Sequence, residues 1–178
     1  MRINVKSLYS IIMFYLKEAS SLEEFDAFLE LKSQKDAVKW SGFETVPDRD
    51  KFFQYYLERV LNNPITHVMF LHDEDEEGDP IIGYVQYDDI DNEHVETRGS
   101  VILKRYQGTG VYQIMIDLLH DIFREKGVKY IETWASEKNK PSIYNLQIEG
   151  YTRLEEYDIR IIPLLGGEHK FYKWVKEL

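Results

Sequence analysis

The chain has no cysteine among its 178 residues, which removes disulfides, thiolate catalysis and Cys-ligated metal sites together. That absence fits a reducing compartment. A long apolar run is also missing. The early stretch YSIIMFYL, Tyr9 to Leu16, falls far short of the roughly 20 residues a membrane span needs, and no small-residue cleavage site follows it. Basic residues are in deficit, with 22 Lys and Arg against 32 Asp and Glu and a formal net charge of −10. Binding to nucleic acid or to an anionic membrane depends on clustered Lys and Arg. Neither partner is therefore expected, the expected location is cytoplasmic, and the overall field mildly favours a cationic substrate. What the chain does have is core material: 43% hydrophobic and 14% aromatic residues, spread evenly. At this length one domain, residues 1–178, is expected to bury roughly two-thirds of the surface its unfolded chain exposes.

Hydrophobic periodicity divides the chain into elements. SIIMFYLKEA, Ser10 to Ala19, reads as a strand because it is short and rich in β-branched and aromatic residues. SLEEFDAFLELKSQK reads as a helix: Ser21 and Glu24 form a capping-box pair, and Phe25, Phe28, Leu29 and Leu31 keep helical spacing. VPDRDKFFQYYLERVLNN reads as a second helix, opened by Pro47 and Asp48. THVMFLHD, IIGYVQYDDI and HVETRGSVILK then form a meander. The acidic DEDEEGD between the first two strands does not fit a calcium loop and reads as a solvated hairpin tip. Val111 to Lys126 returns to helical period, with Gly127 as its stop. VKYIETWAS, a short helix in KPSIYNLQIEG, and two strands, YTRLEEYDIRIIPL and HKFYKWVKEL, complete the chain. The order is βααβββαβαββ, a mixed, mostly antiparallel sheet flanked by helices in an α/β domain.

The stretch KRYQGTGVYQIM, Lys104 to Met115, places two glycines between the meander and a long helix. The N–H groups at a helix start are unpaired and electropositive, so a helix start can cradle an anion if the backbone can be approached closely. Gly108 and Gly110 permit that approach. GTGVYQ lacks the third glycine of a dinucleotide fingerprint, and no P-loop pattern occurs. Taken alone, G-x-G also fits a plain tight turn.

Taken with its neighbours, the stretch resembles the signature [R/Q]-x-x-G-x-[G/A] of the GNAT family, the acetyl-CoA-dependent N-acetyltransferases. Arg105, Gly108 and Gly110 satisfy every letter, whereas Gln107, Gly110 and Tyr112 satisfy all but the last. Helix phase favours the second register. Counting three, four and seven from Tyr112 gives Met115, Ile116 and Leu119, while counting from Gly110 gives Gln113, Ile114 and Asp117. The family's final small residue thus falls on Tyr112, whose ring is expected to turn from the pyrophosphate and pack on a neighbouring helix or strand. NKPSIYNLQIEGY is similar to a second family pattern, with Asn139, Ser142, Gly150 and Tyr151 on matching positions and the usual general-acid tyrosine replaced by Leu146.

The resemblance implies a GNAT-like fold and transfer of an acetyl group from acetyl-CoA to a primary amine, with no metal. It places the CoA pyrophosphate on main-chain groups of Gln107, Gly108, Thr109, Gly110, Val111 and Tyr112. Ile102, Leu103, Asn139 and Ser142 would hold the pantetheine. Tyr144, about 200° around the helix from Leu146, is the weak candidate acid. The family's base comes from the fourth strand, where plain alternation puts His94, Glu96, Arg98 and Ser100 on one face. Glu96 and His94 are the candidate proton acceptors, against the alternative of solvated strand-face residues. Trp134 fits either a wall of the pantetheine slot or the core, and KWSGFETVPD fits an acceptor-side lid or a plain loop. The departures at Tyr112 and Leu146 motivate an alternative: an acyl-CoA-binding or protein-interaction module without turnover. A C-terminal strand carrying Phe171, Tyr172 and Trp174 suggests a homodimer edge.

Overall fold

Alternating apolar residues on successive strands build a sheet whose central strands are covered on both faces. The computed structural model describes residues 13–178; positions 10–12 of the expected first strand lie outside them. The strands are β1 (Phe14–Glu18), β2 (Thr66–Asp73), β3 (Ile81–Asp89), β4 (His94–Ile102), β5 (Tyr130–Ser136), β6 (Thr152–Ile161) and β7 (Glu168–Glu177). They form one seven-stranded sheet in the order β1-β2-β3-β4-β5-β7-β6. Among the described residues only the β4–β5 pair is parallel.

The helices are α1 (Phe25–Lys32), α2 (Lys35–Trp40), α3 (Arg49–Tyr55), α4 (Val111–Lys126) and α5 (Lys140–Ile148). On one face, Met115, Leu118, Leu119 and Phe123 of α4 pack against Leu16, Met69, Leu71, Val85, Tyr87 and Val95. On the other, Phe25, Phe28, Leu31, Phe52 and Tyr56 pack against Val68, Phe70 and Tyr84. The alternation Val68-Met69-Phe70-Leu71 therefore supplies both cores from a single strand, as a strand covered on both sides must. Among the described residues, no helix is long and apolar enough to cross a membrane.

The order follows the sequence reading with three differences. The expected first helix breaks at Ser33 and Gln34. The Ser33 hydroxyl caps Leu29 O at 2.6 Å, and Gln34 turns extended, so a separate short helix, α2, follows where a loop was expected. The second expected helix ends in a π-helical segment, Tyr56–Leu61. The C-terminal strand is not an edge. β7 is hydrogen-bonded to β5 on one side and β6 on the other, so Phe171 and Trp174 are buried within this fold and do not form a dimer edge. The edge strand on that side is β6.

Candidate active site

The parallel pair β4–β5 runs only from His94 opposite Tyr130 to Thr97 opposite Thr133. Thr133 Oγ1 donates to Thr97 O at 2.9 Å and marks the last joined position; beyond it the strands part. A bulge in β4 lies at that point. Tyr87 faces Thr97 and Gln86 faces Gly99, which leaves Arg98 as an extra residue. A bulge kinks its strand and increases its twist, so β4 swings away from β5. The resulting cleft, about 1620 Å³, is lined by β4 from Thr97 to Ile102, by β5 from Thr133 to Ser136, and by α1, α2, α4 and α5. Pockets for one drug-sized ligand are roughly 300–1,000 Å³, so two reactants can meet here.

The bulge also corrects the face assignment made from plain alternation. Val85 pairs with Ser100 on the α4 face, while Asp88 pairs with Glu96 on the α1–α3 face. Glu96 and Ser100 thus lie on opposite sides of the sheet, because one extra residue inverts every later side chain. Arg98 belongs with Glu96. Its Nη1 is 2.9 Å from Glu96 Oε1 and its Nε is 2.7 Å from Asp88 Oδ2. Glu96 is only 8% exposed. Burial raises its carboxyl above the ordinary range; Arg98 pulls it down, and Glu132 and Asp88 push it up. Arg98 lines the cleft and Glu96 sits behind it. His94 pairs with Glu132 at 3.2 Å, on the closed part of the β4–β5 pair and away from the cleft lining.

At the open end, β4 leads into a short 3-10 turn, Lys104–Tyr106, and then into the glycine segment. The acidic β2–β3 turn anchors that 3-10 turn: Tyr106 Oη donates to Asp73 at 2.7 Å, and Arg105 pairs with Glu76 at 2.9 Å. The charge of Arg105 is thereby held by Glu76. Gly108 and Gly110 have φ of +76° and +86°, a left-handed conformation that side chains other than glycine rarely adopt. A Cβ at either glycine would meet open space. The first helical bond, Ile114 N–H to Gly110 O at 3.2 Å, leaves the N–H groups of Val111, Tyr112 and Gln113 facing out of the helix start. Gln107 N–H donates to Lys104 O and Thr109 N–H to Tyr106 O. Two of the six expected cradle residues therefore already spend their N–H inside the turn.

Along the cleft, Leu103 N–H donates to Ile82 O at 2.7 Å on β3, so it is not available as a pantetheine partner. Successive backbone groups point to opposite strand edges, which turns those of Ser100 and Ile102 toward the gap. Ile102 O accepts from Gln34 Nε2 at 3.3 Å and from Gln107 Nε2 at 3.4 Å. The Tyr112 ring leaves the helix end and packs against the α4-side core, with Oη 3.1 Å from Ser100 Oγ. Asn139 caps α5 by accepting from Ser142 N–H at 3.3 Å, and both residues line the cleft. Leu146 is buried in the lining and offers no proton. Tyr144 is 64% exposed and lies outside the lining, because α5 turns it to the opposite side from Leu146.

Two features were not reached from the sequence. Lys32 lines the cleft from within the apolar stripe of α1. Its signal was present, since a lysine four residues after Phe28 falls on the buried face. His120, Glu149 and Tyr151 also line the cleft, and with Lys176 behind them they make a polar group. Lys176 Nζ donates to Glu149 O at 2.6 Å and lies 3.4 Å from His120 Nδ1. These residues are scattered over three elements and share no spacing.

Comparison with known proteins places the chain in a group. The model of the acetyltransferase (GNAT) family matches residues 20–147. No curated protein matches the chain. Among solved structures, a GNAT-family acetyltransferase from Bacillus anthracis is 16% identical, with TM-score 0.74 over 99% of this chain and 98% of that one. Spermidine N-acetyltransferase from Vibrio cholerae, solved with CoA and spermine, is 14% identical, with TM-score 0.74 over 91% of this chain and 95% of that one. Ribosomal-protein-alanine N-acetyltransferase from Brucella melitensis is 18% identical, with TM-score 0.68 over 92% and 99%. At such identities the likeness is one of fold.

Proposed function

The chain belongs to the GNAT acetyltransferase family, and from that premise we propose that it transfers an acetyl group from acetyl-CoA to a primary amine by direct attack in a ternary complex. The observation that carries the reading is the joining of two features in one cleft: the gap where β4 leaves β5 beyond Thr97, and the glycine-opened start of α4 at its mouth. The N–H groups of Gly108, Gly110, Val111 and Tyr112 suit a pyrophosphate, because the helix start is electropositive and the glycines bare the backbone. The backbone of Ser100 and Ile102 suits an extended pantetheine arm. Asn139 and Ser142 border it from α5.

The amine nitrogen attacks the thioester carbonyl carbon, the C–S bond breaks, and CoA leaves as a thiolate that takes up a proton. The nitrogen gives up its extra proton to Glu96 through water beside Arg98. A buried carboxyl with a raised pKa is closer to the operating pH and so a better base than an exposed one. Thiols have a pKa near 8.5, so protonation of the leaving group contributes modestly, and alignment of the two reactants supplies the larger share. Leu146 is compatible with this chemistry for that reason.

The test is thermal stabilisation by acetyl-CoA and by CoA, followed by free-thiol release across a panel of amines. A ligand at about 100 times its Kd stabilises by roughly 2.7 kcal/mol, a readily measured shift. Stabilisation with amine-dependent thiol release is the expected result. Stabilisation without release from any amine would leave the non-catalytic acyl-CoA-binding module, which the Tyr112 phenol inside the cleft favours. No stabilisation by any acyl-CoA would remove both readings.

A further inference from the structure

Lys32 closes the buried stripe of α1 and is only 8% exposed. Its Nζ lies 4.7 Å from the centre of the Tyr84 ring and 5.4 Å from that of Phe28. It lines the cleft on the face away from α4, the side on which an acceptor would meet Arg98 and Glu96. Among the described residues no carboxylate pairs with it. Two ring faces compensate only in part for the lost hydration of an ammonium, and burial pushes it below its ordinary pKa. The neighbouring charges of the same wall are mixed, Lys35 and Lys39 against Glu30 and Asp36, and all four are less buried than Lys32. A desolvated lysine without an acidic partner at the wall of a cleft is a site that an anionic group would complete, because the anion favours the ammonium form that burial disfavours.

We propose that Lys32 is the anion anchor of the acceptor pocket, so that the amine substrate carries a carboxylate or phosphate that pairs with it while the amine reaches the Arg98 bulge. Tyr84, which holds Lys32, lies opposite Val101 in register. Val101 is three residues along β4 from Arg98, roughly 10 Å at strand rise. The anionic group therefore lies within about that distance of the amine. This class differs from the cationic substrate that the overall charge of the chain would favour, because a local desolvated charge outweighs a screened distant field. The inference rests on the acetyl-transfer reading above.

The experiment uses the full chain with acetyl-CoA and matched amines: amino acids against their amides, phosphoethanolamine against ethanolamine, and spermidine as a cationic reference. Free-thiol release gives kcat and KM for wild type and for Lys32→Met, which keeps the volume and removes the charge. The expected result is that the carboxylate or the phosphate member exceeds its neutral partner in kcat/KM by tenfold or more, and the two series tell which anion is used. Lys32→Met then raises KM for that anionic amine about 10- to 100-fold and leaves the acetyl-CoA-induced thermal shift in place. The shift also shows that the variant is folded. Preference for neutral or cationic amines, or a Lys32→Met effect equal across all amines, overturns the anchor while leaving acetyl transfer intact. If acetyl-CoA binds without turnover, the same pairs are compared by thermal shift in the presence of CoA. Lack of a Lys32-dependent shift with the anionic members then overturns the anchor. Absence of any acetyl-CoA effect on the wild type sinks the parent reading and the anchor with it.

Discussion

Tyr112 Oη lies 3.1 Å from Ser100 Oγ, tying the first turn of α4 to β4 two residues beyond the bulge. The phenol has left the helix start and occupies the flank of the cleft. Burial pushes it above its ordinary pKa, so it remains a protonated donor across the working range. If the ring stands clear of the pyrophosphate, Tyr112→Gly leaves the Kd for CoA within about threefold of wild type, although stability falls because packing and the phenol's hydrogen bonds to Ser100 and Asn145, each about 0.5–1.5 kcal/mol, are lost. Calorimetric titration below the melting range checks this. Tenfold tighter binding would mean that the ring obstructs the cradle.

Gly110→Ala gives the opposite pattern. A Cβ at Gly110 meets no protein atom within 4 Å, yet the residue holds φ +86°, where an L side chain costs on the order of 1–2 kcal/mol. The methyl would project into the space left for the anion. The expected outcome is a modest drop in Tm with a loss of CoA affinity of tenfold or more. An unchanged affinity would place the pyrophosphate elsewhere.

These contrasts show which parts of the molecule could be read in advance. Val111–Lys126 and Thr66–Asp73 appear at their expected limits, because periodicity and end signals are local properties of the chain. The glycine-opened start of α4 was legible for the same reason. The β4 bulge was not. HVETRGSVI offers only Gly99 as a hint of a bulge, and the position of the extra residue shows itself only when β3 is laid alongside and Gln86 meets Gly99. The misplacement of Glu96 relative to Ser100 follows from that single residue. The break at Ser33 was hidden because its capping hydroxyl reaches back to Leu29 while the next residue, Gln34, bonds far away to Ile102. The availability of Leu103 likewise depends on a partner in another strand.

Glu96→Gln tests the proton acceptor. Removing a positioned base typically costs about 10²–10⁴ in rate, and the loss should fall on kcat with the acetyl-CoA thermal shift retained. A base acts when deprotonated, so the wild-type rate declines as pH falls through the raised pKa of Glu96. That limb should vanish in Glu96→Gln. A variant with a full rate at saturating amine would mean that solvent takes the proton directly.

Glu149 gives the last prediction, one of stability. It is 8% exposed, and burial pushes its pKa to about 7, with Lys176 opposing and Asp117 adding to the rise. A carboxyl whose folded pKa exceeds its unfolded value near 4.5 holds more protons in the folded state. Its contribution is complete below about pH 4.5 and is lost as pH rises through about 7, on the order of 3 kcal/mol. His120, 3% exposed, has the reverse sign. Burial, then Lys176 and Arg124, depress it to about 4 from 6.5, so stability is lost as pH falls through that window. Over the range the two share, the slopes oppose each other and largely cancel in the wild type. Glu149→Gln removes one of them. The difference in unfolding free energy between this variant and wild type should therefore grow in the variant's favour from pH 4.5 to 7 and level off above. Urea denaturation at half-unit pH steps measures that difference. A difference that stays flat with pH would mean that Glu149 is ionised within the fold, with its charge balanced by Lys176.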